Sequence, residues 1–147
     1  MTEFAPQDPD YQAVVRASFA RQGLMQALGI ELVELAPGQC VLESSADSRL
    51  SQQHGYFHGA LIGATLNCAG GYAALSLMPP ASEVLTTEYK INFVAAAKGE
   101  RLIARGRVIK PGRTLTVCRA EASCHQNGSE TLCAVMLQSL IRIPLQA

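Results

Sequence analysis

Between residues 60 and 77 the chain is dominated by Ala and Leu, and on the helix this composition predicts the apolar side chains occupy every face. Such a helix has no side to offer water and must be wrapped by the rest of the chain. Thr65, Asn67, Gly70, Gly71 and Ser76 interrupt it, making it too polar and glycine-rich for a membrane span. Pro79-Pro80 ends it. What remains is a buried helix in need of a wrapper.

The sequence supplies one. After Pro80 the hydrophobic period changes from helical to two, giving long β-branched strand candidates at 84–94, 101–110, 114–125 and 131–143. Pro111-Gly112 and Asn127-Gly128 separate them as turn pairs. Ahead of the helix, 30–35 and 39–46 flank Pro37-Gly38 and read as a hairpin. Asp8-Pro9 opens an N-terminal helical stretch with a cap followed by proline at the first helical position, and a break falls near Arg21. The expected architecture is an α+β fold in which an antiparallel sheet wraps around one central helix. Residues 1–29 form an N-terminal helical segment and 30–147 the sheet-and-helix unit, a single domain overall.

Composition narrows the function classes. Apolar residues make up 48% and charged ones 16%, enough for a sizeable core and unlike a disordered chain. Twelve basic side chains balance twelve acidic ones, so nothing attracts nucleic acid or an anionic membrane in general; phosphate recognition would need a local patch. The N-terminus lacks the basic and apolar blocks of a signal peptide, and the five cysteines include no C-x-x-C pair, so a cytoplasmic protein with small, buried, reduced cysteines is expected. Three histidines and five cysteines lack the spacing of metal ligands, and no metal is expected.

The stretch QQHGYFHGALIGATLNCAGGY, residues 52–72, resembles the signature of the hot-dog-fold acyl-CoA thioesterases of the phenylacetate-pathway type. Further on, TTEYKINFVAAAKGERLIARGRVIKPGRTL resembles that family's strand pair and its glycine-containing turn. The similarity covers residues 30–143. It implies a hot-dog fold whose copies join side by side into one sheet, with thioester sites at the dimer interface and frequent pairing into tetramers. Self-association would also cover an open edge strand. The substrate would be an acyl-CoA, with CoA part of the substrate and no separate cofactor.

The resemblance assigns roles residue by residue. Gly59 would present a helix N-terminal N–H to the thioester carbonyl and stabilise the oxyanion, a role compatible with a glycine also needed for a tight loop-to-helix turn. His58 would hold the loop, with acid–base catalysis the lesser alternative. Gln52 stands where relatives carry an amide that touches the carbonyl or the water. Asn67 stands where the family places an aspartate or glutamate acting as nucleophile or general base. An amide cannot accept that proton, and losing a positioned base removes ~10²–10⁴-fold of rate. Glu88 and His54 are the alternative acceptors, although Glu88, sharing a face with Val84, Thr86, Lys90 and Asn92, reads first as a solvated strand residue paired with Lys90 or a neighbouring strand. Phe57 and Ala60, with Leu61 and Ile62, would line the acyl pocket. Gly71 stands where some relatives carry a hydroxyl residue supporting the water, a contact absent here. Lys110 and Arg113, in the basic turn, would hold CoA phosphates; Arg101, Arg105 and Arg107 share a strand face and either join that patch or are ordinary surface charges.

Two functions stay open: hydrolysis of a small, aryl or medium-chain acyl-CoA, and non-catalytic acyl-CoA binding or sensing, which Asn67 favours. A dehydratase ranks below both, because no carboxylate lies near His58 in sequence.

Overall fold

The computed structural model describes residues 4–145. Two short helices, α1 (Tyr11–Ala20) and α2 (Gly23–Ala27), precede a hairpin of β1 (Ile30–Ala36) and β2 (Gln39–Ser45). A 3-10 turn (Ser48–Leu50) and a loop lead into α3 (Gly59–Leu75), and four long strands follow: β3 (Ser82–Phe93), β4 (Arg101–Lys110), β5 (Leu115–Gln126) and β6 (Ser129–Pro144). They form one six-stranded antiparallel sheet in the order β1-β2-β4-β5-β6-β3. This is the α+β hot-dog architecture: α3 lies along one face of the sheet, and β1 and β3 are its free edges.

Strict alternation builds the inner face. Leu102, Ala104, Gly106 and Val108 of β4, and Cys118, Ala120 and Ala122 of β5, point inward and are buried. Small residues dominate where the helix crosses, so backbone approaches backbone. A Cβ added to Gly106 would sit 2.3 Å from the Ala69 carbonyl and 2.5 Å from the Gly70 nitrogen, leaving room for no side chain. Leu61, Ile62, Leu66, Ala69 and Ala73 complete the core from the helix side.

Three local features depart from the sequence expectation. Asp8 accepts a hydrogen bond from the Asp10 N–H (2.9 Å), making a turn that delays α1 to Tyr11, and Asp10, in the N-cap position, makes no side-chain cap. The central helix is not covered all round: Ala60 is exposed, and Ala64, Asn67 and Cys68 are half-buried along one stripe. In β3 the ladder slips between Thr86 and Glu88. The extra residue flips the alternation. Val84 and Thr86 face α3, whereas Glu88, Lys90 and Asn92 pair with Ser139, Leu137 and Val135 on the outer face. Glu88 accepts from the Ser139 hydroxyl (2.9 Å) and does not share a face with Thr86.

The tight crossing makes a prediction. Gly106→Ala should cost about 1–3 kcal/mol by overpacking, read as a lower urea midpoint with an unchanged slope.

Candidate active site

The loop before α3 is fixed by its backbone. Gln52 and Tyr56 close a turn through Gln52 N–H to the Tyr56 carbonyl (2.9 Å), Phe57 donates to Ala97 (2.9 Å) and His58 to Leu50 (3.2 Å). The buried Phe57 ring anchors the loop in the core. His58 is extended at φ −67°, ψ 138°, and its Nδ1 accepts the Ala60 N–H at 3.0 Å, so it is the N-cap of α3. Imidazole thus satisfies the second amide of the helix. The first, Gly59 N–H, has no hydrogen-bond partner among the described residues. It stands at the positive end of the α3 dipole, where an oxygen acquiring negative charge is stabilised. The Phe93 ring lies beside it: a Cβ on Gly59 would come within 3.3 Å of the ring's Cζ.

Asn67 lies two turns further along α3. The Thr86 hydroxyl of β3 donates to its Oδ1 at 2.7 Å, fixing the amide. From β6, Gln138 reaches under the helix and donates to the Asn67 carbonyl at 3.3 Å. Gly70 makes this reach possible, since a Cβ there would fall 1.8 Å from Gln138 Nε2. Gln138 is 1% exposed, and its Oε1 has no hydrogen-bond partner among the described residues.

Asn67 and Gly71 open onto a cleft of about 260 Å³ between α3, the α1–α2 stretch and β3. Cys68 lines it too, but burial pushes its thiol up to about 11, so it is a neutral thiol and no nucleophile at neutral pH. Burial likewise raises the Tyr72 phenol above its ordinary value and keeps it a proton donor.

Other site residues from the sequence are not brought together within one chain. Gly59 and Asn67 are separated by about 12 Å along the helix axis, too far to touch one carbonyl. Gln52 folds back on its own loop, its Oε1 taking the His54 N–H. Ala60 lies exposed on the open stripe of α3. Arg113 lies in a small cleft with Leu77, Met78 and Arg142 at the C-terminal end of α3, and Lys110 ends the neighbouring strand; a helix length of about 25 Å separates this turn from Gly59. Arg101 pairs with Glu43 (2.6 Å) and Arg105 with Glu130. Three site neighbours had not been picked out from the sequence. Phe93 reaches α3 only through the face flipped by the bulge, Thr86 reads as one more residue of the Glu88 face, and Gln138 reads as one polar residue in a period-two strand.

A six-stranded antiparallel sheet around one long helix defines a hot-dog domain. Residues 54–131 match the thioesterase superfamily, and the chain belongs to it. A crystal structure of a thioesterase family protein from Silicibacter pomeroyi is 44% identical, with a TM-score of 0.90 over 91% of this chain and 98% of that one. The Escherichia coli PaaI protein of the phenylacetic acid degradation operon shares the fold at 18% identity, with a TM-score of 0.83 over 95% and 99% of the two chains. The 1,4-dihydroxy-2-naphthoyl-CoA hydrolase of Listeria monocytogenes is 25% identical over 95 residues, 65% of this chain and 77% of that enzyme. Membership, together with the thioesterase family protein and the CoA hydrolase among these relatives, supports a thioester hydrolase. Among the described residues, no helix is long and apolar enough to cross a membrane.

The cap separates the two roles of His58. Asparagine is also a good N-cap but no proton shuttle, so His58→Asn should keep both stability and turnover, while His58→Ala loses about 1 kcal/mol in chemical denaturation. Loss of turnover in a folded His58→Asn protein would assign the imidazole to the chemistry instead.

Proposed function

We propose that the protein hydrolyses acyl-CoA thioesters by direct attack of water, at a site completed by a second copy of the chain. The observation that carries this reading is the unbonded Gly59 N–H, left free because His58 occupies the Ala60 amide. Water adds to the carbonyl carbon and gives up one proton to solvent, and the carbonyl oxygen takes the negative charge against Gly59. The carbon–sulfur bond then breaks, releasing the carboxylic acid and the CoA thiolate, which takes up a proton from solvent. No cofactor enters.

The second copy follows from distance. With about 12 Å between Gly59 and Asn67, one thioester meets both only if they come from different chains. Two features favour side-by-side pairing. Beyond the bulge, the edge strand β3 turns Tyr89 and Phe93 inward, yet they are 51% and 54% exposed. The open stripe of α3 runs through Ala60, Ala64 and Asn67. A second chain across this edge would cover both and end the unpaired strand. Lys110 and Arg113 would meet the CoA phosphates only where the ligand runs the length of the helix or crosses between copies.

Asn67 weakens the chemistry. Its Oδ1 already accepts from Thr86, and an amide is not basic at neutral pH, so water is oriented without a base. The same observation favours the second reading, an acyl-CoA sensor that binds without turnover. Thiol release over a panel of acyl-CoAs separates the two: slow turnover with several substrates supports the enzyme, and tight binding with none supports the sensor. Proline suits the first helical position but lacks the N–H, so Gly59→Pro should lower turnover by about 10²–10³ while the protein stays folded. Asn67→Asp should raise turnover. A fast parent enzyme indifferent to Asn67→Asp would place the base elsewhere.

A further inference from the structure

Cys124 of β5 and Cys133 of β6 play no part in the hydrolytic scheme, yet their sulfurs face each other in the core. The Cys124 thiol donates to Cys133 Sγ at 3.9 Å, and the Cys133 thiol donates to the Ala122 carbonyl at 3.2 Å. A bulge brings them together. Ala122 faces Ala134 and Ser123 faces Leu132, which leaves Cys133 as the extra residue of the ladder.

The pair also sits at both ends of the loop that ties down the helix mouth. After β3, the Val94 N–H donates to the Cys133 carbonyl at 2.9 Å; before β4, the Glu100 N–H donates to the His125 carbonyl at 2.8 Å. Gly99 packs so closely on this second end that a Cβ there would fall 2.6 Å from the His125 carbonyl oxygen and 3.3 Å from Cys124 Cβ. Between the two ends, Ala97 accepts the Phe57 N–H, just ahead of His58 and Gly59. One short, packed loop therefore joins the sulfur pair to the helix mouth.

Chemistry sets the pair apart from the other cysteines. Burial pushes the Cys40 and Cys118 thiols up to about 12 and Cys68 up to about 11, which keeps them neutral. The hydrogen bond from Cys124 instead draws the Cys133 thiol below its ordinary value, and the thiolate is the form that attacks an oxidant. Both residues are buried, so only a small oxidant reaches them, through opening of the β5–β6 hairpin end. That end is near: β5 stops at Gln126, and hairpin ends open more readily than cores.

We propose that Cys124 and Cys133 form a reversible redox switch, in which a hydroperoxide joins them as a disulfide and displaces the loop that positions Gly59. The Cys133 sulfur attacks one peroxide oxygen, the O–O bond breaks, and the departing oxygen leaves protonated. The Cys124 sulfur then displaces the hydroxyl of the Cys133 sulfenic acid, which leaves as water as the S–S bond forms. Both thiol hydrogens end on oxygen, and two electrons pass from sulfur to the peroxide. Closing the gap from 3.9 Å to a bond of about 2.05 Å draws the strands together at the bulge, and the Val94 and Glu100 anchors move with them.

Treating the reduced protein with hydrogen peroxide tests the switch. Tryptic peptide 120–142, which holds both cysteines between Arg119 and Arg142, should lose two hydrogens and regain them with dithiothreitol. In the oxidised protein the Phe57 amide, freed from Ala97, should exchange with deuterium about tenfold faster by NMR. Cys124→Ala should abolish both responses; should that variant fail to fold, Cys133→Ala reads the same pair. Survival of both thiols, bonding of either to a different cysteine, or a Cys124–Cys133 bond that leaves Phe57 exchange unchanged overturns the proposal. Turnover is a separate readout that rests on the hydrolase reading: thiol release from acyl-CoA should fall about tenfold on oxidation and recover with dithiothreitol. An active enzyme whose turnover survives full oxidation also overturns the switch. A reduced protein that turns over no acyl-CoA counts against the hydrolase reading, while peptide mass and Phe57 exchange still decide the switch.

Discussion

The contact on which the rest of the structure depends is the crossing of α3 over β4 at Gly106. There the helix carbonyl of Ala69 comes so near the strand that no side chain fits between them. Apolar burial drives the helix onto the sheet, but the distance at which it stops is set by what lies beneath it. Ala104, Ala120 and Ala122 on the neighbouring inward positions keep that distance short. With the helix axis held so close, the positions of Gly59 at one end and Ser76 at the other follow from helix geometry alone. The loop ahead of Gly59 then has one way in, tied by Leu50, Tyr56 and Ala97 and closed by the His58 cap. The unbonded Gly59 amide at the mouth is the outcome of that packing.

Around Asn67 the molecule accepts local costs in order to hold one side chain still. Gly70 and Gly71, inside the helix, cost about 1 kcal/mol each relative to alanine. Gly70 admits the Gln138 side chain, which is buried with an acceptor unpaired among the described residues, itself an unfavourable state. In exchange the helix carbonyl of Asn67 is held from below and its side-chain amide from the side, by Gln138 and Thr86. Apolar packing at 138 would be the simpler way to fill a core, so a polar residue there, directly under the site, ties the fold to the position of Asn67.

The β3 bulge links the edge strand to the cleft and the helix mouth. Before it, Val84 and Thr86 serve the cleft; after it, Tyr89, Ile91 and Phe93 take over the inward positions and Phe93 reaches Gly59. One inserted residue thus lets a single strand line both the Asn67 cleft and the helix mouth. It also sends Glu88 to the outer face, away from Asn67. The cleft gains its far wall from the N-terminal helices, where Phe19 packs edge-on against Tyr72 with ring centroids 5.7 Å apart.

The sequence by itself determined the plan. A helix apolar on all faces, a change of period after Pro80, and the turn pairs at 37–38, 111–112 and 127–128 are local properties, and they were enough to specify a sheet around a helix, with the 52–72 motif marking the helix mouth. Tertiary structure decided which residues share a site. The bulge at Thr87 reverses a face without leaving a mark in the alternation, so Glu88 reads as a neighbour of Thr86 and is not. The Lys110–Arg113 turn and Gly59 belong to opposite ends of a helix whose length the sequence gives but whose surroundings it does not. Gln138, Ser18 and Gln22 meet the central helix across separations of more than forty residues. Hydrophobic period is a property of neighbours along the chain, whereas such contacts depend on register and strand order, and those are fixed only when all the strands close on the helix together.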